Sequence, residues 1–141
     1  MKKRNILALL GTAAVLLPTA FSTAVSAQNS PADNDYLNNL YSFLQGQDEI
    51  TYTMATSVLP AEYSVWAAQM FCQAFSTGAA PGELFEVYSD SALQQAEVQG
   101  TVLTDELAYS VGLYGGAVMN IGAAHYCPEY QPQVQQALQA L

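Results

Sequence analysis

Lysine and arginine are almost absent from this chain of 141 residues. The only three lie at residues 2–4, against 12 aspartates and glutamates, and the formal net charge is −9. A protein that binds nucleic acid needs cationic side chains to displace the counterions of the phosphates. A polybasic membrane-surface anchor needs the same side chains. The charge pattern therefore excludes a nucleic-acid-binding protein, and it disfavours a nucleotide enzyme that clamps phosphate.

Histidine occurs once, as His125, and cysteine occurs twice, as Cys72 and Cys127. A zinc site built from these three residues would forfeit a disulfide. Acyl transfer needs a nucleophile, a base and an orienting group together, and no Gly-x-Ser-x-Gly sequence occurs. We therefore predict no metal, no cofactor and no enzymatic activity, with a hydrolase that uses His125 as the less favoured alternative. Because His125 shares a helical face with Val118 and Ile121, we expect it to be a hydrogen-bonded core residue.

The amino terminus has the three parts of a secretory signal peptide. A basic start at residues 2–4 precedes an apolar stretch over residues 6–21, and Val25-Ser26-Ala27 supplies the small residues that signal peptidase requires. We predict a signal peptide over residues 1–27, with Ala24 as the competing cleavage site. No cysteine lies nearby, so a lipoprotein anchor is not expected. The mature protein is then secreted or periplasmic in a bacterium, with no membrane span.

Two cysteines in an exported protein favour a single disulfide between Cys72 and Cys127. Closing so long a loop would stabilise a small domain by about 4 kcal/mol through the entropy of the unfolded chain. A redox-active pair usually has the spacing Cys-x-x-Cys and a nearby charge that lowers a thiol pKa. Neither feature is present, so we expect a structural bond.

The mature chain has a helical pattern throughout. We predict a short disordered leader over residues 28–33 and a single all-α domain, a small bundle of four to five helices, over residues 34–141. Residues 48–59 alternate like a strand but have no partner strand, so this segment is either a loop or a short helix. Helices are predicted up to Gly46, over 60–78, over 81–100, over 104–127, and finally around Val134, Ala137, Leu138 and Leu141.

Residues 107–127 of the helix predicted over 104–127 contain no Asp, Glu, Lys or Arg. A helix that is apolar nearly all round is either buried at the centre of a bundle or spans a membrane. Its several polar residues and glycines favour the central position. Gly112, Gly115 and Gly116 each cost about 1 kcal/mol relative to alanine in mid-helix. Close approach of a neighbouring helix would compensate, and a small ligand bound at these glycines is the alternative.

Several short motifs resemble a known family. Asp35-Tyr36-Leu37 opens an amphipathic helix, Phe71-Cys72 lies in a later helix before Gly78, and the central helix ends in Ala123-Ala124-His125-Tyr126-Cys127-Pro128. In these features the chain is similar to the small exported bacterial family catalogued as domain of unknown function 732. The resemblance implies a compact helical domain with its two cysteines bridged, and it implies no activity. The chain departs from the family at Ala68-Gln69-Met70, where a glycine is common, and in a longer segment between the cysteines.

Four acidic residues follow one face of the helix predicted over 81–100, with no cation to compensate them. This acidic face consists of Glu83, Glu86, Asp90 and Glu97. Its simplest interpretation is a solvated outer surface, since like charges at this spacing slightly destabilise a helix. Alternatively it docks a basic partner or divalent cations. No loop has the ligand pattern of an EF-hand, so a dedicated calcium site is not expected.

These observations favour a binding or interaction module without catalytic activity. Its partner would be another protein or a small apolar ligand. The nine tyrosines support this weakly, because exposed tyrosine favours interfaces, although the same residues could fill the core. The alternatives are a structural protein of the cell envelope and the hydrolase that uses His125.

Overall fold

The structure is a computed structural model that describes residues 29–141. The predicted signal peptide and Gln28, the first residue of the predicted leader, lie outside this part of the chain. Residues 31–141 form one compact unit. Within the described residues there are helices and no strands, so the all-α prediction is confirmed. The α-helices are α1 (Pro31–Gln47), α2 (Glu49–Thr53), α3 (Ala61–Ser76), α4 (Pro81–Val98), α5 (Asp105–Tyr126) and α6 (Gln131–Gln139).

The first helix begins earlier than predicted. Helix α1 starts at Pro31, so residues 31–33, assigned above to a disordered leader, are helical and that prediction is wrong. Proline is well tolerated in the first turn of a helix, where its missing N–H would have no intrahelical acceptor. Asp33 lies in the same turn, and the Tyr126 hydroxyl donates a 2.5 Å hydrogen bond to Asp33 Oδ1. This tertiary contact, invisible in the local pattern, joins the start of α1 to the end of α5.

The segment that could be either a loop or a short helix is helical. Helix α2 continues directly into a π-helical turn, Met54–Val58. Asp48 caps α2, since its Oδ2 accepts hydrogen bonds from Thr51 N at 2.8 Å and from Thr51 Oγ1 at 2.6 Å. Thr51 is fully buried, as is Ala55 in the turn that follows. The segment thus adds a short helix to the four to five predicted, and the described residues form six α-helices.

Helix α5 is the centre of the bundle, as its uniformly apolar pattern predicted, and it packs against each of the other five α-helices. Thr104 caps it, because Thr104 Oγ1 accepts a 3.1 Å hydrogen bond from Leu107 N. Among residues 29–141, no helix combines the length and apolar character that crossing a membrane requires. The fully buried core side chains include Tyr36, Leu40, Leu44, Tyr114, Val118 and Val134.

The predicted disulfide joins Cys72 on α3 to Cys127, directly after α5, with their Cα atoms 5.8 Å apart. Cys127 is buried, whereas Cys72 is partly exposed. The backbone N–H of Cys127 also donates a hydrogen bond to Ala123 O at 2.9 Å, so Cys127 closes the last turn of α5. A short 3-10 turn, Pro128–Tyr130, then leads into α6. The bond therefore fixes the carboxyl end of the central helix to α3.

Two glycines of α5 permit close contacts with neighbouring helices. A Cβ on Gly115 would lie 2.4 Å from Tyr88 Cε1 of α4, and one on Gly122 would lie 2.6 Å from Ala68 Cβ of α3. Both distances are too short for any real Cβ. The predicted compensation by close helix approach is thus confirmed at Gly115.

Candidate ligand-binding site

A cleft of about 300 Å³ opens between α1, α4, α5 and α6. A drug-sized ligand typically occupies a pocket of about 300–1,000 Å³, so this cleft suits a small ligand. Its lining carries no charged side chain, and Asn120 is its one polar side chain. The lining residues are Phe43, Phe85, Gly112, Leu113, Gly116, Ala117, Asn120, Ile121, Leu138 and Leu141.

One face of α5 forms the floor of the cleft. Gly112, Gly116 and Asn120 recur at a spacing of four residues, which places them in one row along the helix. A Cβ on Gly112 would lie 3.8 Å from Phe85 Cζ, and one on Gly116 would lie 3.6 Å from Leu138 Cδ2. Both are ordinary contact distances, so alanine would fit at either position. Close helix packing therefore does not require these two glycines, in contrast to Gly115, and their effect is to deepen the cleft.

Asn120 lines this apolar cleft, and its side chain has an acceptor atom without a hydrogen-bond partner. Its Oδ1 is buried and has no hydrogen-bond partner in the described part of the chain, where Ser89 Oγ is the other such side-chain atom. A buried acceptor that has lost water without gaining a partner costs about 1–3 kcal/mol. In the sequence, Asn120 is only one of several polar residues in the central helix. The burial of this oxygen depends on the helices packed around α5, and the helical pattern alone does not show this.

A network of buried hydroxyl groups lies elsewhere in the core. The Tyr36 hydroxyl donates to Ser64 O at 2.9 Å, and Ser64 Oγ lies 2.7 Å from the Tyr114 hydroxyl. All three side chains are fully buried. Burial raises the pKa of both Tyr36 and Tyr114, because the charged phenolate would lose its hydration. These tyrosines therefore fill the core, whereas Tyr109 is 58% exposed.

His125 lies at the contact between α1 and α5. Its Nε2 is 2.8 Å from Asn39 Nδ2, which donates when the ring proton is on Nδ1. The edge of the ring meets Tyr36, with ring centroids 6.1 Å apart. The expected hydrogen bond is confirmed, but the side chain is only partly buried and so is not a core residue. Its partners are an amide and a phenol ring, and neither is a nucleophile of the acyl-transfer type.

The four residues of the acidic face, Glu83, Glu86, Asp90 and Glu97, are all exposed on α4. The structure thus places them on one solvent-facing surface, as their spacing predicts. Val87, which is 45% exposed, lies among them. No lysine or arginine follows residue 4 in the sequence, so none lies on the described surface to neutralise this face.

A second hollow, of about 260 Å³, lies where the start of α5 meets the α2 cap, between Asp48, Asp105, Glu106 and Tyr109. The two hydrogen bonds from Thr51 lower the pKa of Asp48, because they favour its charged form. Within residues 29–141, no group of three His, Cys, Asp or Glu residues is arranged to hold a metal ion. Three acidic residues therefore border this hollow without the geometry of a metal site.

No family model matches the chain, and neither does any curated protein or solved structure. Membership in the family catalogued as domain of unknown function 732 therefore stays a prediction. The candidate site accordingly depends on the geometry of the cleft alone.

Proposed function

We propose that this chain is an exported binding module that holds a small, largely apolar ligand in the cleft on α5. The supporting observation is the pair of glycines, Gly112 and Gly116, in the floor of the cleft. Each weakens the helix by about 1 kcal/mol relative to alanine, and neither is required by a neighbouring side chain. A bound ligand would supply the missing contacts. The apolar lining is consistent with this function, because small-molecule sites are mostly apolar with few polar groups.

Two further features support binding over catalysis. Phe43 and Leu141 line the cleft and remain 40% and 66% exposed, so an apolar ligand could cover them. His125 does not line this cleft, so no acid–base group of the usual kind faces a ligand there. We further propose that the signal peptide over residues 1–27 directs the module to the periplasm or the medium, where the disulfide persists. Intact mass spectrometry of the mature protein should then show Gln28 at its amino terminus.

The test of the cleft uses naphthalene, a rigid apolar probe with two fused rings. An apolar cavity of about 150 Å³ accepts benzene, so two rings suit a cleft of about 300 Å³. Binding would be measured by NMR titration of the oxidised mature protein. Gly116→Leu adds a side chain to the floor and should weaken binding at least tenfold. Gly82→Leu is the matched control, since Gly82 lies in helix α4 and a Cβ there meets nothing within 4 Å.

Equal affinity of Gly116→Leu and Gly82→Leu for naphthalene would show that the cleft is not the site. Shifts of the amide signals at Ala117 and Ile121 on titration would place the probe on the floor of the cleft. If naphthalene near its solubility limit in water produces no shifts in the parent protein, the proposed small-ligand function is wrong.

A protein partner with a basic surface is the second candidate. The observation that favours it is the apolar side chain of Val87 exposed among the four carboxylates of the acidic face. Interfaces commonly combine such an apolar patch with charge complementarity. The protein, used as bait at low salt, should capture a partner from the host envelope fraction. The variants Val87→Gln and Glu86→Lys should each lose that partner. Retention by both variants would exclude docking at this face, and a role as a structural envelope protein would gain support.

A further inference from the structure

We infer that the ligand of the α5 cleft is a lipophilic cation, with its apolar body in the cleft and an ammonium head at the mouth. This inference rests on the proposed small-ligand function and specifies the class of the ligand. Two independent observations carry it. The acidic side chains of the chain have no basic ones to balance them, and two phenylalanines line the cleft.

The charge of the described residues has one sign. All 12 aspartates and glutamates follow residue 28, whereas no lysine or arginine follows residue 4. A surface with charge of one sign raises the local concentration of ions of the opposite sign. A cationic ligand is therefore attracted to residues 29–141 and an anionic ligand is repelled. No lysine or arginine in this part of the chain could pair with a carboxylate or phosphate on the ligand.

The cleft receives the apolar body of the ligand and not its charge. Its lining has no charged side chain, and moving an ammonium group from water into apolar surroundings without a counter-charge is strongly unfavourable. The head therefore stays at the mouth of the cleft, where Phe43 is 40% exposed. Glu86 is the acidic residue closest in sequence to the lining, because it directly follows Phe85, and it is exposed on α4.

The aromatic side chains of the lining favour the same sign of charge. Phe43 on α1 and Phe85 on α4 both line the cleft. The face of an aromatic ring attracts an ammonium group that lies within about 6 Å of the ring centre, and it offers no such attraction to an anion. The lining and the surrounding charge together favour a lipophilic amine over a fatty acid, a phosphorylated lipid or a nucleotide.

The test compares three probes that share a naphthalene body and differ in the charge of one substituent. They are 2-naphthylmethylammonium, neutral 2-naphthylmethanol and 2-naphthoate. NMR titration of the oxidised mature protein near neutral pH gives the three dissociation constants. We expect the affinity ratio, ammonium over carboxylate, to exceed about tenfold at low salt. The ratio should fall at least about threefold near 1 M salt, where the screening length is about 3 Å. The neutral probe corrects for the direct effect of salt on apolar binding.

Two variants with the same change in net charge test the position of the head. Glu86→Gln removes the carboxylate next to Phe85, and it should lower the ammonium-over-carboxylate ratio about twofold to threefold at low salt. Glu97→Gln is the matched control, since Glu97 is exposed on the same helix, about 16 Å further along its axis. This control should change the ratio by less than about 1.5-fold. An equal loss in the two variants would overturn the placement of the head beside α4.

The amide signals of Ala117 and Ile121 show whether each probe occupies the cleft. Larger shifts and tighter binding for the ammonium probe there, weakened by salt, support the inference. An affinity ratio at or below one at low salt overturns it while leaving the cleft as a ligand site. Shifts from the ammonium probe that are confined to the acidic face of α4 overturn it as well. If none of the three probes shifts these amides, the small-ligand function itself fails and the inference falls with it.

Discussion

Gly115 and Tyr88 meet so closely that a Cβ on Gly115 would lie only 2.4 Å from Cε1 of the tyrosine ring. This contact brings α4 against α5. Phe85 lies one turn before Tyr88 on the same side of α4, and its ring faces Gly112 and Gly116 at about van der Waals distance from their absent side chains. The Gly115–Tyr88 contact therefore holds in place the wall that Phe85 gives to the cleft.

Alanine should have opposite effects at the neighbouring glycines 115 and 116. Gly115→Ala must displace the Tyr88 ring, and overpacking of this kind typically costs about 1–3 kcal/mol. Gly116→Ala meets only ordinary contacts, and it should raise the free energy of unfolding by about 0.5–1 kcal/mol through helix propensity. Urea denaturation of the two variants and the parent protein, with the disulfide intact, measures both effects.

Gly112→Ala serves as the control for this comparison, because its nearest neighbour lies at 3.8 Å and it should behave like Gly116→Ala. Stabilisation by Gly115→Ala would contradict the close packing of α4 on α5. Destabilisation by both Gly112→Ala and Gly116→Ala would mean that the cleft floor tolerates no methyl group.

The three central glycines show what the sequence could predict and what it could not. An uncharged helical stretch with mid-helix glycines correctly indicated a buried central helix with close neighbours. Which of these glycines meets a neighbour depends on where the side chain of Tyr88 lies. Tyr88 is on α4 and Gly115 is on α5, so the pattern within either helix does not show their contact. Asn120 illustrates the same limit, since the pattern does not show that its side-chain oxygen is buried without a partner.

Removing one hydroxyl from the Ser64–Tyr114 pair should destabilise the core more than removing both. Tyr114→Phe leaves Ser64 Oγ buried without this partner, which costs about 1–3 kcal/mol, and Ser64→Ala leaves the phenol in the same position. The double variant removes both polar groups, so the two single costs should not add. A double-mutant cycle by urea denaturation should give a coupling energy of about 1 kcal/mol.

Tyr126→Phe is the control for that cycle, since its hydroxyl bonds Asp33 at the edge of the bundle and should not couple to Ser64. Additive effects of Tyr114→Phe and Ser64→Ala would show that the two hydroxyls make no shared contribution. Nothing in the local pattern around Ser64 predicted this bond, because its partner lies 50 residues away.

Stability should fall as the pH rises above about 10. Burial raises the pKa of Tyr36 and Tyr114 above the ordinary value of 10.0, so both remain neutral in the folded protein while the unfolded chain ionises. The unfolded state then binds fewer protons, and the free energy of unfolding decreases with pH. The contribution is fully present below pH 10 and is lost as pH rises toward the folded pKa values. Thermal melts between pH 8 and pH 11 measure this decrease.

Replacing Tyr36 by Phe should make the alkaline decrease less steep, because it removes one of the buried tyrosines whose pKa is raised in the folded protein. Tyr109→Phe is the matched control, since Tyr109 is 58% exposed and its replacement should leave the slope unchanged. Equal slopes of stability against pH for Tyr36→Phe and Tyr109→Phe would mean that ionisation of buried tyrosines does not cause the loss of stability at alkaline pH.

The acidic face should destabilise α4 slightly at low salt. Glu86 and Asp90 are four residues apart on the exposed side of the helix, so they repel each other. Asp90→Asn should raise the free energy of unfolding by about 0.2–0.5 kcal/mol at low ionic strength. The gain should shrink near 1 M salt, where the screening length is about 3 Å. A gain that is the same at both salt concentrations would indicate helix propensity rather than charge repulsion.

Reduction of the disulfide should be the largest single perturbation of stability. Cys72 and Cys127 are separated by 55 positions in the sequence. Releasing the loop between them should lower the free energy of unfolding by about 4 kcal/mol. Urea denaturation of the oxidised protein, the protein reduced with a phosphine and Cys72→Ala/Cys127→Ala measures the effect. The free energy of unfolding of the double variant should not change when the phosphine is added. This control separates the loss of the bond from other effects of the phosphine. A loss below about 1 kcal/mol would mean that residual structure already restricts the unfolded chain, and that the bond mainly positions the end of α5.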